Sequence, residues 1–244
     1  MFLRFFSIFI LFFPSFSGAA EISVLELTRK MDNLYRSDSA EAELTMAIQT
    51  PDWLRELKVK SFSQGLKTTL IRILSPAKDR GVATLRVEQE MWNFFPKINK
   101  VMKIPPSMMM GSWMGSDFTN DDLVRQVSLE SEYDGQVKTT NGKYVLTLVP
   151  KKNTATVWGK IETTIDRTTL LPDSQMFYDE KNQKIREMQF SEVRDFDGRK
   201  FPAVMKLISV KKPGNSTTIR YDSLRFNTKP DPSLFTLRKL QERF

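Results

Sequence analysis

Residues 40–49 read AEAELTMAIQ, in which Ala40, Ala42, Leu44, Met46 and Ile48 alternate with Glu41, Glu43, Thr45 and Gln49. A period of two puts the first set on one side of a strand and the second on the other, so this stretch is a half-buried β-strand. Comparable runs recur near 54–64, 66–74, 82–90, 91–95, 98–104, 129–137, 143–150, 155–166, 173–180, 183–194, 202–211 and 216–226. Turn chemistry separates many of them: Ser75-Pro76, Arg80-Gly81, Asn141-Gly142, Asp179-Glu180-Lys181-Asn182, Asp197-Gly198 and Pro213-Gly214-Asn215. Strands repeated at roughly 8–14 residues with hairpin turns describe an antiparallel meander, closed or half-closed into a barrel. Strands and helices do not alternate, which argues against a doubly wound parallel sheet.

Upstream of this strand the period is 3.6. Ser23-Val24-Leu25-Glu26 forms a capping-box pattern, and Val24, Leu27, Met31, Leu34 and Tyr35 follow at helical spacing. The spacing predicts a helix over 22–36 with one apolar face. Residues 1–20, MFLRFFSIFILFFPSFSGAA, place Arg4 before an apolar run from Phe5 to Phe13 and end in small residues. That is the order of a secretory signal, and the run is shorter than the ~20 residues of a spanning helix. The expectation is a cleaved leader over 1–20 and one exported domain over 21–244, periplasmic in a bacterium.

The chain of 244 residues contains no His and no Cys. A Ser-His-Asp triad, a cysteine nucleophile, an imidazole or thiolate zinc site and His-ligated haem are therefore excluded. So are disulfides and an N-terminal lipidated cysteine. Lys and Arg number 37 against 29 acids, a formal charge of +8. Such a surface favours anionic lipid headgroups or acidic partners; nucleic acid is not expected of an exported chain whose basic residues are dispersed.

Residues 101–118, VMKIPPSMMMGSWMGSDF, break the alternation. Pro105-Pro106 stops a strand, Gly111 and Gly115 permit sharp bends, and five of the 12 Met residues lie between 102 and 114. A long loop this apolar is a lid, a binding loop or a plug for the barrel end. Met and Trp together suit acyl chains, which need area more than geometry. The candidate lid and cavity residues are Met102, Ile104, Met108, Met109, Met110, Trp113, Met114 and Phe118. Trp92 and Phe94, on one side of the aromatic strand Glu90-Met91-Trp92-Asn93-Phe94-Phe95, are the candidate lining. Beyond the loop, Asp121 and Asp122 open a short helix over 119–125. They read as helix-start acids ahead of a metal or catalytic pair. Glu88 and Glu90, two apart on one strand, are the acid–base pair that an enzyme could use. Arg72, inside Thr69-Leu70-Ile71-Arg72-Ile73-Leu74, reads as solvent-facing ahead of a buried gate. No catalytic residue, metal or cofactor is expected.

Three pieces resemble the LolA-like outer-membrane lipoprotein-sorting proteins when taken in order. They are Ser75-Pro76-Ala77-Lys78-Asp79-Arg80-Gly81, then Glu90 to Lys97, then Met114-Gly115-Ser116-Asp117-Phe118 with Asp121-Asp122-Leu123. Ile165 to Pro172 and the hairpin from Met176-Phe177-Tyr178-Asp179 to Ile185-Arg186-Glu187-Met188-Gln189-Phe190 extend the resemblance over nearly all of 22–240. The resemblance implies a single, strongly curved antiparallel sheet, an incomplete half-open β-barrel whose concave face is covered by helices. It implies a non-enzymatic periplasmic chaperone that carries acyl chains of lipoproteins or phospholipids toward the outer membrane. An inner-membrane lipid exporter and an outer-membrane acceptor would be its partners, and a monomer its state. The chain is longer than LolA itself and lacks the N-terminal Cys of anchored LolB-type receptors, which places it in a broader branch. An adaptor of an envelope lipid exporter is the alternative, ahead of a lipid hydrolase.

Overall fold

The period-two runs become thirteen strands, and the structure, a computed structural model, describes residues 22–34, 37–65, 67–124, 128–154 and 156–242. The strands are β1 (Ser39–Gln49), β2 (Leu54–Gln64), β3 (Thr68–Ser75), β4 (Ala83–Val87), β5 (Glu90–Phe95), β6 (Lys100–Lys103), β7 (Tyr133–Thr140), β8 (Lys143–Pro150), β9 (Lys160–Asp166), β10 (Pro172–Tyr178), β11 (Lys184–Phe196), β12 (Arg199–Ser209) and β13 (Ser216–Phe226). They form one antiparallel sheet in the order β6-β5-β4-β3-β2-β1-β13-β12-β11-β10-β9-β8-β7. The chain builds outward from β1 to β6, crosses to β7, and returns strand by strand to β13, which pairs with β1 from Ala40↔Phe226 to Gln49↔Ser216. β6 and β7 are the two outer strands, so the curved sheet is an open barrel. The leader expected over 1–20 lies outside the described residues, as do Tyr35 and Arg36 of the expected helix.

Register decides which side of each strand points inward. Met46 pairs with Leu57 and Ile219, Val59 with Ile73, and Met188 with Leu207. These alternate positions line one continuous concave face, and Met46, Leu57, Val59, Ile73 and Leu207 are buried on it. Register shifts at Glu43/Leu44, Lys58/Val59 and Phe177/Tyr178 add the local bend and twist that curvature requires. The complementary set faces water: Lys60 bridges Glu41 at 3.0 Å and Glu43 at 3.3 Å, and Arg225 reaches Glu41 at 2.6 Å.

Among the described residues, four short α-helices pack against the sheet, three on its concave side or in the crossing segment and one on its convex side. α1 (Val24–Leu34) begins where Ser23 Oγ accepts the Glu26 N–H at 3.1 Å, the first half of the predicted capping box. It lays Leu27 and Met31 on Leu146, Leu148 and Ile161 of β8 and β9. A Cβ on Gly135 would stand 2.5 Å from Val24 Cγ1, so glycine in β7 is what lets the helix approach this closely. α2 (Asn120–Val124) and α3 (Leu129–Glu132) lie in the crossing segment, and Asp32 of α1 accepts the Leu129 N–H at 3.1 Å. No described helix is long and apolar enough to cross a membrane.

α4 (Leu237–Gln241), with the 3-10 turn Pro232–Phe235, packs on the convex side of β3–β5, where Leu240 is buried against Leu70, Leu85 and Phe94. This corrects the reading of Arg72 as solvent-facing. Its side chain is buried beneath α4 and donates to the carbonyls of Lys239 (2.9 Å) and Glu242 (2.8 Å). A cation that satisfies the orphan carbonyls of a last helical turn is favoured by hydrogen bonding and by the helix dipole. Arg72→Ala should cost about 1–3 kcal/mol in urea unfolding, because those carbonyls stay buried with no donor. A loss below about 0.5 kcal/mol would mean that water replaces the guanidinium without penalty.

Candidate functional site

The segment between β6 and β7 crosses the concave face. Residues 112–119 fold back on themselves, bridged from Ser112 to Thr119, with the Trp113 N–H donating to Phe118 O at 2.8 Å. Met114 (φ 53°) and Gly115 (φ 81°) take the left-handed conformations that the tip needs, and the glycine does so without strain. Trp113 is 3% exposed; its indole N–H donates to Thr84 Oγ1 at 3.0 Å, and that hydroxyl donates to Asn93 Oδ1 at 2.7 Å. Asp117 bonds Thr217 twice, at 2.8 and 2.9 Å, and Arg55 holds the Met114 carbonyl at 3.2 Å. Trp113 and Phe118 thereby complete an apolar cluster with Met46, Ile48, Leu57 and Met91 of the sheet.

Between this plug and α1 remains a cavity of about 500 Å³. Met31 of α1, Phe118 and Leu123 of the crossing segment, and Phe177, Met188 and Met205 of the sheet contribute to its walls. Its polar wall groups are largely paired: Gln175 donates to Thr163 Oγ1 at 3.1 Å. Arg186 of β11 grips Asp122 of α2 bidentately at 2.7 and 2.8 Å, while its guanidinium lies 4.5 Å from the Trp158 ring centre and 4.4 Å from that of Phe177. Stacking between two rings and a planar fork on a carboxylate are what arginine does best. Asp122 also accepts the Thr119 N–H at 2.8 Å, and Thr119 Oγ1 accepts the Asp122 N–H at 3.1 Å, a reciprocal cap on α2. Burial pushes the Asp122 carboxyl up, but the Arg186 bonds and charge, with those from Thr119, hold it below the usual carboxylate range. One ion pair thus joins the crossing segment to the far half of the sheet.

A second gap of about 1080 Å³ runs along the open seam between the β4–β6 edge and the β7–β8 edge. Charge lines it: Lys67 pairs with Glu88 at 3.0 Å, Lys103 pairs with Glu90, and Glu132 and Lys152 stand opposite. Such a lining suits water, not an acyl chain.

The sequence-derived candidates divide three ways. Trp113 and Phe118 are buried in the plug, Ile104, Met109 and Met114 pack half-buried against it, and Phe118 also walls the cavity. Met102, Met108 and Met110 are exposed. Trp92 and Phe94 lie on the opposite, convex face beneath α4, so the expected lining is corrected: Met91 and Asn93 are the inward pair of β5. Glu88 is not on a strand with Glu90; it sits at φ 55° in the turn between β4 and β5. The helix-start role expected of Asp122 is the observed one, with Arg186 as an unforeseen partner. As site residues, sequence reasoning passed over Phe177, Met188 and Arg186, whose only signal is alternation along β10 and β11, Met31, read only as part of the apolar face of α1, and Trp158 in the loop before β9.

A protein-family model described as an uncharacterized protein matches residues 65–242. No curated protein matches the chain. Several crystal structures are similar in fold. A DUF1329 family protein from Desulfovibrio piger aligns with a TM-score of 0.78 at 23% identity, over 89% of this chain and 97% of the other. A domain named for outer membrane lipoprotein sorting, from Vibrio parahaemolyticus, aligns with a TM-score of 0.75 at 19% identity, over 89% and 98%. A LolA superfamily protein from Nitrosomonas europaea aligns with a TM-score of 0.72 at 17% identity, over 90% and 100%.

The buried ion pair makes a testable difference. Asp122→Ala should destabilise by about 3–5 kcal/mol in urea, because it strands the Arg186 charge between two rings, and Asp122→Ala with Arg186→Met should recover most of that. Since the folded Asp122 carboxyl titrates below its unfolded value, its contribution is complete above the ordinary carboxylate range near ~4 and is lost as the pH falls below it. Unfolding free energies measured from neutral pH down to pH ~3 should fall less steeply in the double variant than in the native chain. Equal slopes would remove Asp122 from the acid sensitivity.

Proposed function

We propose, from the open-barrel fold shared with lipoprotein-sorting and LolA superfamily structures and from the covered cavity, that the chain is a LolA-like, exported, non-enzymatic carrier of acyl chains, those of lipoproteins or phospholipids. The cavity under α1 and the crossing segment carries the reading. Each methylene moved from water onto such walls gains about 0.8 kcal/mol, so a carrier needs concave apolar area and little directional chemistry. A volume of about 500 Å³ falls within the range of small-molecule sites, and the Met and aromatic walls can repack around chains of different shape.

The plug gives the site a second state. Trp113 and Phe118 occupy the part of the concave face that a longer chain would need. Arg186–Asp122 and Asp117–Thr217 hold the plug in place, so cargo entering the cavity competes with the protein's own side chains. Met108 and Met110 stand exposed on the same segment, where a displaced plug would meet the cargo or its donor. The exporter and acceptor that hand over and receive the cargo would dock against this covered face.

The decisive test is native mass spectrometry of the detergent-free protein, with uptake of a fluorescent long-chain fatty acid measured alongside. Lipid at near one per chain, and saturable uptake, are expected. Gln175→Trp, which projects an indole into the cavity, should weaken uptake by roughly tenfold or more with an unchanged circular dichroism spectrum. A chain that is empty and takes up no fatty acid would defeat the carrier and favour an adaptor.

A further inference from the structure

Strand direction sorts the turns into two ends of the sheet. The β1–β2 tip (50–53), the β12–β13 tip (210–215) and the β5–β6 turn (96–99) fall at the same end. The first two touch, since a Cβ on Gly214 would lie 2.9 Å from Pro51 Cγ. Here large apolar side chains stand in water: Leu54 is 70% exposed, Ile98 65%, Val210 46% and Trp53 45%. The β1–β2 tip is ordered, because the Thr50 N–H donates to Trp53 O at 2.9 Å and Thr50 Oγ1 accepts the Trp53 N–H at 3.1 Å. Trp53 and Leu54 are held outward by a structured turn.

The same end is cationic. Lys211 and Lys212 follow Val210 on the tip that abuts Pro51, and Lys78 and Lys97 are exposed on neighbouring turns. Of the acids here, Asp79 is neutralised by Arg55 at 2.9 Å, and exposed Asp52 beside Trp53 offsets one of the lysines. At the opposite end Lys67 is matched by Glu88 at 3.0 Å. An outward Trp beside aliphatic residues and flanking lysines is the pattern of a membrane-interface anchor: the indole favours the headgroup level and the cations favour an anionic surface.

We propose that this end of the sheet rests on an anionic phospholipid surface, with Trp53, Leu54 and Val210 entering the headgroup layer and Lys211 and Lys212 against the phosphates. The surface stands apart from the cavity, so docking is independent of what the cavity holds. The charge excess favours lipid over a protein groove, which would bury the apolar tips but has no general need of the lysines.

Co-sedimentation with phosphatidylcholine vesicles, with and without phosphatidylglycerol, tests it. Binding should require the anionic lipid and fall with salt. Lys211→Glu with Lys212→Glu should lower the partition coefficient by roughly tenfold or more, given about fivefold for each lysine lost at such a surface. Trp53→Ser with Leu54→Ser should lower it as well, with thermal unfolding and fatty-acid uptake unchanged; Val210→Ser serves if that variant does not fold. Indifference to anionic lipid, or native binding by the charge and apolar variants, would overturn the proposal. So would variants that keep vesicle binding and lose instead the capture of an acidic protein partner.

Discussion

The concave side of this sheet is apolar along its length, and the ladder that would enclose it does not close. β6 and β7 both end unpaired, so the interior cannot be sealed by strands alone. An apolar trough open to water is costly, and the chain covers it with material from between and before the strands. α1 takes the half built by β7 to β9, and the folded-back segment 112–119 takes the half built by β1 to β5. The cavity is the space left between them, and Arg186–Asp122 crosses its border.

The convex side obeys the same logic over a smaller area. Most of it is charged, with Lys60, Glu41 and Arg225 in a ladder that stays wet. The patch over β3 to β5 is the exception, and the last turn of the chain is folded onto it. β5 is apolar on both faces for that reason: one side meets the plug and the other meets α4. Two coverings on opposite faces of the same strands make that edge of the sheet a three-layer structure.

How far these features could be read in advance depends on the length of pattern that each carries. AEAELTMAIQ and its twelve counterparts announce their strands because every second residue repeats the message, and Ser23 announces α1 because a cap is local. The side of β5 that turns inward was not legible: Met91 and Asn93 on one face and Trp92 and Phe94 on the other give periodicity nothing to choose between. α4, LRKLQ, is one turn of charged helix whose reason for being there is Leu240 and a guanidinium in β3. Arg186 looked like one cation among many in IREMQF, since its carboxylate lies 64 positions away in the chain. What stayed hidden were pairings that only the sheet's curvature brings together.

The seam between β1 and β13 joins strands from the two extremes of the chain; the Arg225–Glu41 pair alone spans 184 positions. Neither meander can be locked to the other until the final strand is available, so the most distant contacts are also the ones on which the sheet's continuity rests. Folds dominated by such pairings form slowly, in milliseconds to seconds, because loop closure precedes its reward. During that interval the apolar alternates of each half face water beside unpaired strand edges, the arrangement most prone to sticking to other chains. A sheet with so apolar a concave face must therefore pass through a stage in which that face is uncovered, and its assembly is limited by when its last strand arrives.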